Sequence, residues 1–405
     1  MKNVYADNNA TTRVSPEVIE SLLPYLTTHW HNPSSMYELA QVPQSAIEES
    51  RKTIAKALKM GPPTQLLFTS CATESNNAAI FGTVHANPKR KHIITSSVEH
   101  PAVLEVCKNL ERQGLEVTYL PVNESGEMDP VEFIKALRPD TLLVTVMHAN
   151  NETGVIFPIA ELARITKETD PSIVFHTDAT QSVGKLPIDL SGEFKDVDLL
   201  SFSGHKLHAP KGVGGLFIRR GTPCRPFLIG GHQESNRRGG TENVPYIVGM
   251  AKAVELAMAN IEEEDTRVRS LRDRLEAAIK NTIPWVEING AGAPRLPNTL
   301  NVACHFIEGE GILYQLDSYG IAASSGSACT SGSLDPSHVL TAMKVPFTAK
   351  HGSVRFSFSR YNTVEDIDHV IEVFPKVVAA LRRMSPYWDN QKNEPRKDVE
   401  LLVEN

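Results

Sequence analysis

The sequence predicts an α/β protein, with a mostly parallel seven-stranded sheet flanked by helices and then a smaller α+β domain. Three observations predict it. Short β-branched apolar runs alternate with helix-period stretches from about residue 15 to about residue 260. Beyond that point the strand-like runs are few, short and set between long helices. A chain of 405 residues also exceeds one domain of roughly 100–200 residues.

Taken in order, Ser15-Pro16-Glu17 reads as an N-cap, a first-turn proline and a first-turn acid. It opens a helix carrying Val18, Ile19, Leu22 and Leu23. The strands are Gln65–Thr69, His92–Thr95, Val117–Pro121, Leu142–Met147, Ile173–His176, Asp198–Phe202 and Gly215–Ile218. Such sheets bind ligands outside the carboxyl ends of their strands. Past residue 260, Val268, Leu271, Leu275 and Ile279 recur at helical spacing. Asn298–Ala303 and Val354–Ser359 read as strands, and Thr363 precedes a helix whose Pro375 should kink or locally break it. The expected division is residues 15–260 as the large domain and 1–14 plus 261–388 as the small one. The polar stretch from Asp389 opens a flexible tail, 389–405.

Composition narrows the function. With 41 Lys+Arg against 48 Asp+Glu, the net charge of −7 argues against nucleic acid or an anionic membrane as main partner. Five cysteines are too few for a disulfide framework, and without a C-x-x-C pair a cysteine-based zinc site is not expected. The N-terminus lacks the apolar core of a signal peptide, and no apolar run is long enough to span a bilayer. A reducing cytoplasm is the default setting.

The segment Asp196–Gly215 (DVDLLSFSGHKLHAPKGVGG) runs off a strand into Gly204-His205-Lys206. One strand earlier, His176-Thr177-Asp178 ends with a carboxylate. A lysine and an aspartate at neighbouring strand ends are what pyridoxal 5'-phosphate requires: a Schiff-base amine, and an anion that keeps the pyridine nitrogen protonated. Taken alone, the pair also fits a solvated lysine and a capping aspartate. The run Phe68–Asn77 (FTSCATESNN) adds a strand, a small-residue turn and a helix start, which suits a phosphate. His205-x-x-His208 lacks a third ligand, so no metal is expected. Around Cys329, the stretch Ser324–Ser333 (SSGSACTSGS) has no apolar periodicity and reads as a mobile loop. A thiol presented there can act as a nucleophile; otherwise it is an incidental surface cysteine. Cys107 and Cys304 sit in apolar runs and read as packing.

Together Ser203-Gly204-His205-Lys206, Cys71-Ala72-Thr73-Glu74-Ser75 and Ser324–Gly332 resemble a cysteine desulfurase of the NifS/IscS group, fold-type-I pyridoxal-phosphate enzymes. Asp7–Thr12, Glu99-His100, His148–Gly154 and Arg355-Phe356-Ser357 extend the resemblance over nearly the whole chain. Cys71 and the ending Ser385–Trp388 point to the nitrogen-fixation branch. The resemblance implies that Lys206 holds the cofactor, His100 stacks on its ring as an acid–base group, and Asp178 pairs with the ring nitrogen. Gln181 and Asn151 contact the ring oxygen or substrate, while Ala72, Thr73, Ser203 and His205 hold the phosphate. Arg355 clamps the substrate carboxylate, with Asn32 also on the substrate, and Cys329 takes the sulfur of L-cysteine. Thr241 reaches the partner's site in a homodimer, and an iron–sulfur scaffold protein accepts the sulfur. One departure lies at His31–Tyr37 (HNPSSMY), where the family has a glycine before Asn-Pro-Ser-Ser and a histidine two residues beyond it. A selenocysteine lyase or aminotransferase, or a non-enzymatic sulfur-relay scaffold, are the alternative readings.

Overall fold

The computed structural model describes residues 2–325 and 336–396. In chain order the strands are β1 (Val4–Tyr5), β2 (Leu66–Thr69), β3 (His92–Ser96), β4 (Glu116–Leu120), β5 (Thr141–Thr145), β6 (Val174–Asp178), β7 (Leu199–Ser203) and β8 (Gly214–Ile218). They continue with β9 (Val286–Asn289), β10 (Thr299–Cys304), β11 (Ile321–Ala322), β12 (Ser353–Ser357), β13 (Trp388–Asp389) and β14 (Glu394–Pro395). Seven of them form the main sheet in the order β2-β8-β7-β6-β5-β3-β4. Only β8 runs against its neighbours. The other six are therefore mutually parallel and deliver their carboxyl ends to one edge.

These strands form because both faces of the sheet are covered. Every residue of β2, β3, β5, β6 and β7 is buried, as expected for runs with no polar alternation. One face packs on a cluster containing Phe68, Ile94, Val144, Phe175, Leu200 and Phe202. The other packs on Leu67, Ile93, Leu143, Val174 and Leu199 with helix residues Ile80, Val103 and Leu110.

A second core surrounds the antiparallel sheet β12-β10-β9 and holds Leu271, Leu275, Leu300, Phe356, Val370 and Phe374. Val4 and Ala6 join it, because β1 pairs in parallel with β11. The segment that carries Val339, Leu340 and Met343 behaves differently from its expected placement with this small domain: it packs on the core of the large sheet.

Of the two outcomes expected at Pro375, a kink or a local break, the break does not occur, and the helix Val364–Met384 runs through it. The buried face made by Val370, Val373, Phe374, Val377 and Val378, with the capping box of Thr363 and Asp366, outweighs one lost backbone bond. The stretch expected to begin a flexible tail instead pairs β13 with β14. Trp388 is buried there against Phe306, with the Arg382 guanidinium 4.7 Å from its ring centroid. Ser15 occupies the N-cap position but does not cap; its hydroxyl accepts from Arg360 and Tyr361.

Candidate active site

The parallel strands place five turns side by side. Asp178 is the last residue of β6, and β7 ends at Ser203 and passes directly into the turn Gly204–Lys206. The turn after β2 opens the helix Ala72–Ala86, and His100, after β3, is the N-cap of the helix Pro101–Arg112. These turns and the loop after β5 wall a cavity of about 300 Å³. Ala72, Thr73, His100, Asn151, Asp178, Gln181, Ser203, His205, Lys206 and Arg355 all line it, together with Asn9, Ala10, Cys71, Asn76, Met147, Ala149 and Thr180.

The anchoring contacts come from afar. Lys206 Nζ donates to the carbonyls of Asn9 at 2.5 Å and Ala10 at 2.8 Å. Asp178 is buried, and its carboxylate accepts from Asn76 Nδ2 at 2.7 Å and from the Thr180 amide at 2.9 Å. Gln181 Nε2 donates to the Asn9 carbonyl at 3.1 Å. Arg355, on β12, enters from the second sheet. Its guanidinium donates to Asp7 Oδ1 at 2.8 Å and to the Asn151 carbonyl at 2.9 Å.

The histidines divide by environment. His100 Nδ1 accepts from the Ala102 amide at 3.1 Å, so a neutral ring carries its proton on Nε2. Burial lowers its pKa; Asp178 opposes that shift, and Lys206 and His338 add to it. The capping role and the place in the cavity thus belong to the same residue. His205 is pushed down to about 4, chiefly by burial and then by Lys206, and its Nδ1 lies 3.2 Å from Thr11 Oγ1. His208 turns away to the Arg13 carbonyl, so the two histidines do not face one point.

The cavity's polar lining fits pyridoxal phosphate. The hydroxyls of Ser203 and Thr180 are buried on its wall with no hydrogen-bond partner among the described residues. Such hydroxyls are costly unless something fills the space. The same cavity is lined by the start of the helix Ala72–Ala86, whose free N–H groups suit a phosphate. An amine and a carboxylate stand at the same cavity, as the ring requires.

Two expected residues are not brought there within one chain. Asn32 and Thr241 are exposed and do not line the cavity; Asn32 Oδ1 accepts from the Ser34 amide at 2.9 Å. Cys329 lies outside the described residues. Sequence reasoning missed Asn76, Asp7 and the Asn9 and Ala10 carbonyls as contacts. The run Asp7–Thr12 stood out by resemblance, but nothing in its spacing assigned it to the lysine.

The aminotransferase class-V profile matches residues 4–370. A "Cysteine desulfurase NifS" of Azotobacter vinelandii is 51% identical over 398 residues, covering 98% of each chain. A "Cysteine desulfurase" of Trichormus azollae is 52% identical over 391 residues, covering 96% of each. Among solved structures, a "NifS-like protein" superposes with a TM-score of 0.88 at 38% identity, covering 94% of this chain and all of the other. By both profile and full-length likeness, the chain belongs to the aminotransferase class-V family.

Proposed function

We propose that this chain is a pyridoxal-phosphate-dependent cysteine desulfurase, converting L-cysteine to L-alanine and passing the sulfur through a persulfide on Cys329. The observation that carries the reading is Lys206 and Asp178 at neighbouring strand ends on one cavity, whose wall also holds the Ser203 hydroxyl, unpartnered among the described residues. Relatives named cysteine desulfurase, about 50% identical over nearly the whole length, support the same reading.

When bound, pyridoxal phosphate supplies an electron sink for the substrate α-carbon. The residues divide the remaining work. Lys206 would hold the cofactor and carry the substrate α-proton. Asp178 would keep a negative charge at the ring nitrogen. His100 would flank the ring and exchange protons with the substrate. Ala72, Thr73, Ser203 and His205 hold the phosphate, while Gln181 and Asn151 reach the ring oxygen and substrate. The Arg355 guanidinium still has donors beyond those used by Asp7 and Asn151, and it takes the substrate carboxylate. Cys329, as thiolate, would attack the substrate sulfur; the carbon–sulfur bond breaks with its electron pair left to the substrate β-carbon, a sulfur–sulfur bond forms, and protons delivered to the β-carbon and back to the α-carbon give alanine.

The proposal extends to a homodimer. Leu23, Leu26, Trp30, Met36 and Leu39 are exposed together around Asn32, and Ile229 is exposed in the segment leading to Thr241. An apolar patch of this kind favours burial against another protein surface. A second copy would bring Asn32 and Thr241 to a cavity. We also propose residues 15–260 as the cofactor domain, with 1–14 and 261–388, apart from the segment of Val339, Leu340 and Met343 that packs on the large core, carrying Cys329 and Arg355. The sulfur acceptor is an iron–sulfur scaffold protein in a reducing cytoplasm, a setting that suits the free thiols Cys71, Cys107, Cys224 and Cys304.

The test is incubation with L-cysteine, assay of alanine and sulfide, and mass mapping of the persulfide. Cys329→Ala should lose both products and keep cofactor absorbance; full activity of that variant would sink the reading.

A further inference from the structure

Lys185 is buried behind the cofactor cavity, four residues beyond Gln181. Its ammonium donates to the Gln181 main-chain oxygen and to Gln181 Oε1, both at 3.1 Å. The other end of that amide, Nε2, donates to the Asn9 carbonyl, which also accepts from Lys206. An ammonium offers only protons. The atom against it must therefore be the amide oxygen, and the NH₂ must face Asn9 and the cavity.

We infer that Lys185 is a positioning residue, which fixes the Gln181 amide so that the cavity is offered an N–H donor and never an oxygen. The inference rests on reading the cavity as a pyridoxal-phosphate site, where the ring's anionic oxygen needs a donor. Without Lys185 only the Asn9 carbonyl, already shared with Lys206, opposes the flipped amide, which would set two oxygens against each other.

The surroundings keep this lysine in place. Across a small polar cavity it faces Glu264, with Lys206, His208 and Arg360 also on the walls. Glu264 Oε2 is buried with no hydrogen-bond partner among the described residues. Burial lowers the pKa of Lys185 and raises that of Glu264, while the opposite charge of each counteracts the other's shift. Lys206 and Arg355 also lower that of Lys185, which comes to about 7, and Glu264 is the group that opposes the loss of its proton.

A double-mutant cycle on cofactor affinity tests the inference, by titrating apoprotein with pyridoxal phosphate and following absorbance. Lys185→Met should raise the dissociation constant about tenfold, the worth of one hydrogen bond, and shift the pH midpoint of the bound cofactor's visible band. In a Gln181→Leu background, Lys185→Met should add nothing to either readout. Penalties that multiply in the double variant, or a Lys185→Met constant within about twofold of the parent, overturn the inference. If Lys185→Met fails to fold, Lys185→Met paired with Glu264→Gln, which removes the donor and leaves no uncompensated buried charge, takes its place in the cycle under the same criteria. A parent chain that binds no pyridoxal phosphate would refute the functional reading itself, and this inference with it.

Discussion

Asp178→Asn separates the charge of Asp178 from its structural role. The carboxylate accepts two hydrogen bonds, from Asn76 Nδ2 and from the Thr180 amide. In the variant, Oδ1 can still accept from Thr180. The new amide then faces Asn76, whose own Oδ1 is buried without a partner among the described residues and can turn to accept from it. Both bonds survive, so apoprotein stability should change by less than about 1 kcal/mol. The lost interaction is the one with the protonated ring nitrogen. A hydrogen bond to a charged group is worth about 1.5–3 kcal/mol. At about 1.4 kcal/mol per decade, that predicts cofactor binding weaker by about 10- to 150-fold. Asp178→Ala is the contrast, since it leaves the buried Asn76 amide unpaired and should cost about 1–3 kcal/mol of stability. Absorbance titration of each apoprotein and urea unfolding without cofactor give the two numbers. Parental affinity in Asp178→Asn, or unfolding like that of Asp178→Ala, would refute the reasoning.

Three further predictions concern the frame of the site. Arg51 and Glu234 form a buried bidentate pair at 2.7 and 2.9 Å, and Glu234 also accepts from the Phe68 amide, so Glu234→Ala should cost about 3–5 kcal/mol in urea unfolding. Glu99, fully buried against Ser96 and the Met147 amide, has its pKa raised by burial to about 8. A carboxyl raised on folding contributes stability below its unfolded pKa and loses it as pH rises through the folded one. Glu99→Gln, which does not titrate, should therefore gain melting temperature relative to the parent between pH 5 and pH 9, and a constant difference would contradict this. At Gly214 an added Cβ would lie 2.8 Å from the Cys71 carbonyl carbon, pushing on the phosphate turn. Gly214→Ala should weaken pyridoxal phosphate more than unphosphorylated pyridoxal, by up to about the 1–3 kcal/mol of an overpacked contact; equal weakening would refute it.

The sheet was legible because buried parallel strands are continuous apolar runs, and each predicted strand lies within two residues of an observed one. Lys206 and Asp178 were legible for a related reason, since a polar residue that ends such a run stands at the edge where ligands bind. Their partners were not. Asn76 meets Asp178 across 102 residues, and Asp7 meets Arg355 across 348. Neither periodicity nor spacing reports contacts made by topology alone. The hairpin of β13 and β14 escaped notice because its composition is polar and only Trp388 supplies an apolar anchor. Pro375 misled because local propensity is weaker than a long buried helix face.

Asn9 shows how the two sheets come to share one site. Its amide N–H donates to Ser357 Oγ, and its side chain donates to Thr299 Oγ1 and the Asn151 carbonyl while accepting from Asn298. Its own carbonyl holds Lys206 and Gln181. The lysine is thus referenced to the same small sheet that carries Arg355, and a shift of that sheet must either break these bonds or carry the lysine with it. The segment bearing Cys329 is tied to the same frame at both ends. Before it, Ser324 exchanges backbone hydrogen bonds with Arg355 at 2.7 and 3.2 Å. After it, Ser337 Oγ donates to Glu152 Oε2 at 2.5 Å, one residue beyond Asn151. Both anchors adjoin residues of the cavity wall: Arg355 itself, and the neighbour of Asn151, whose carbonyl accepts from Arg355. Anchors so placed suit the roles proposed for Cys329 and Arg355, and they come from the backbone hydrogen bonds of Ser324 and the buried pair of Ser337 and Glu152.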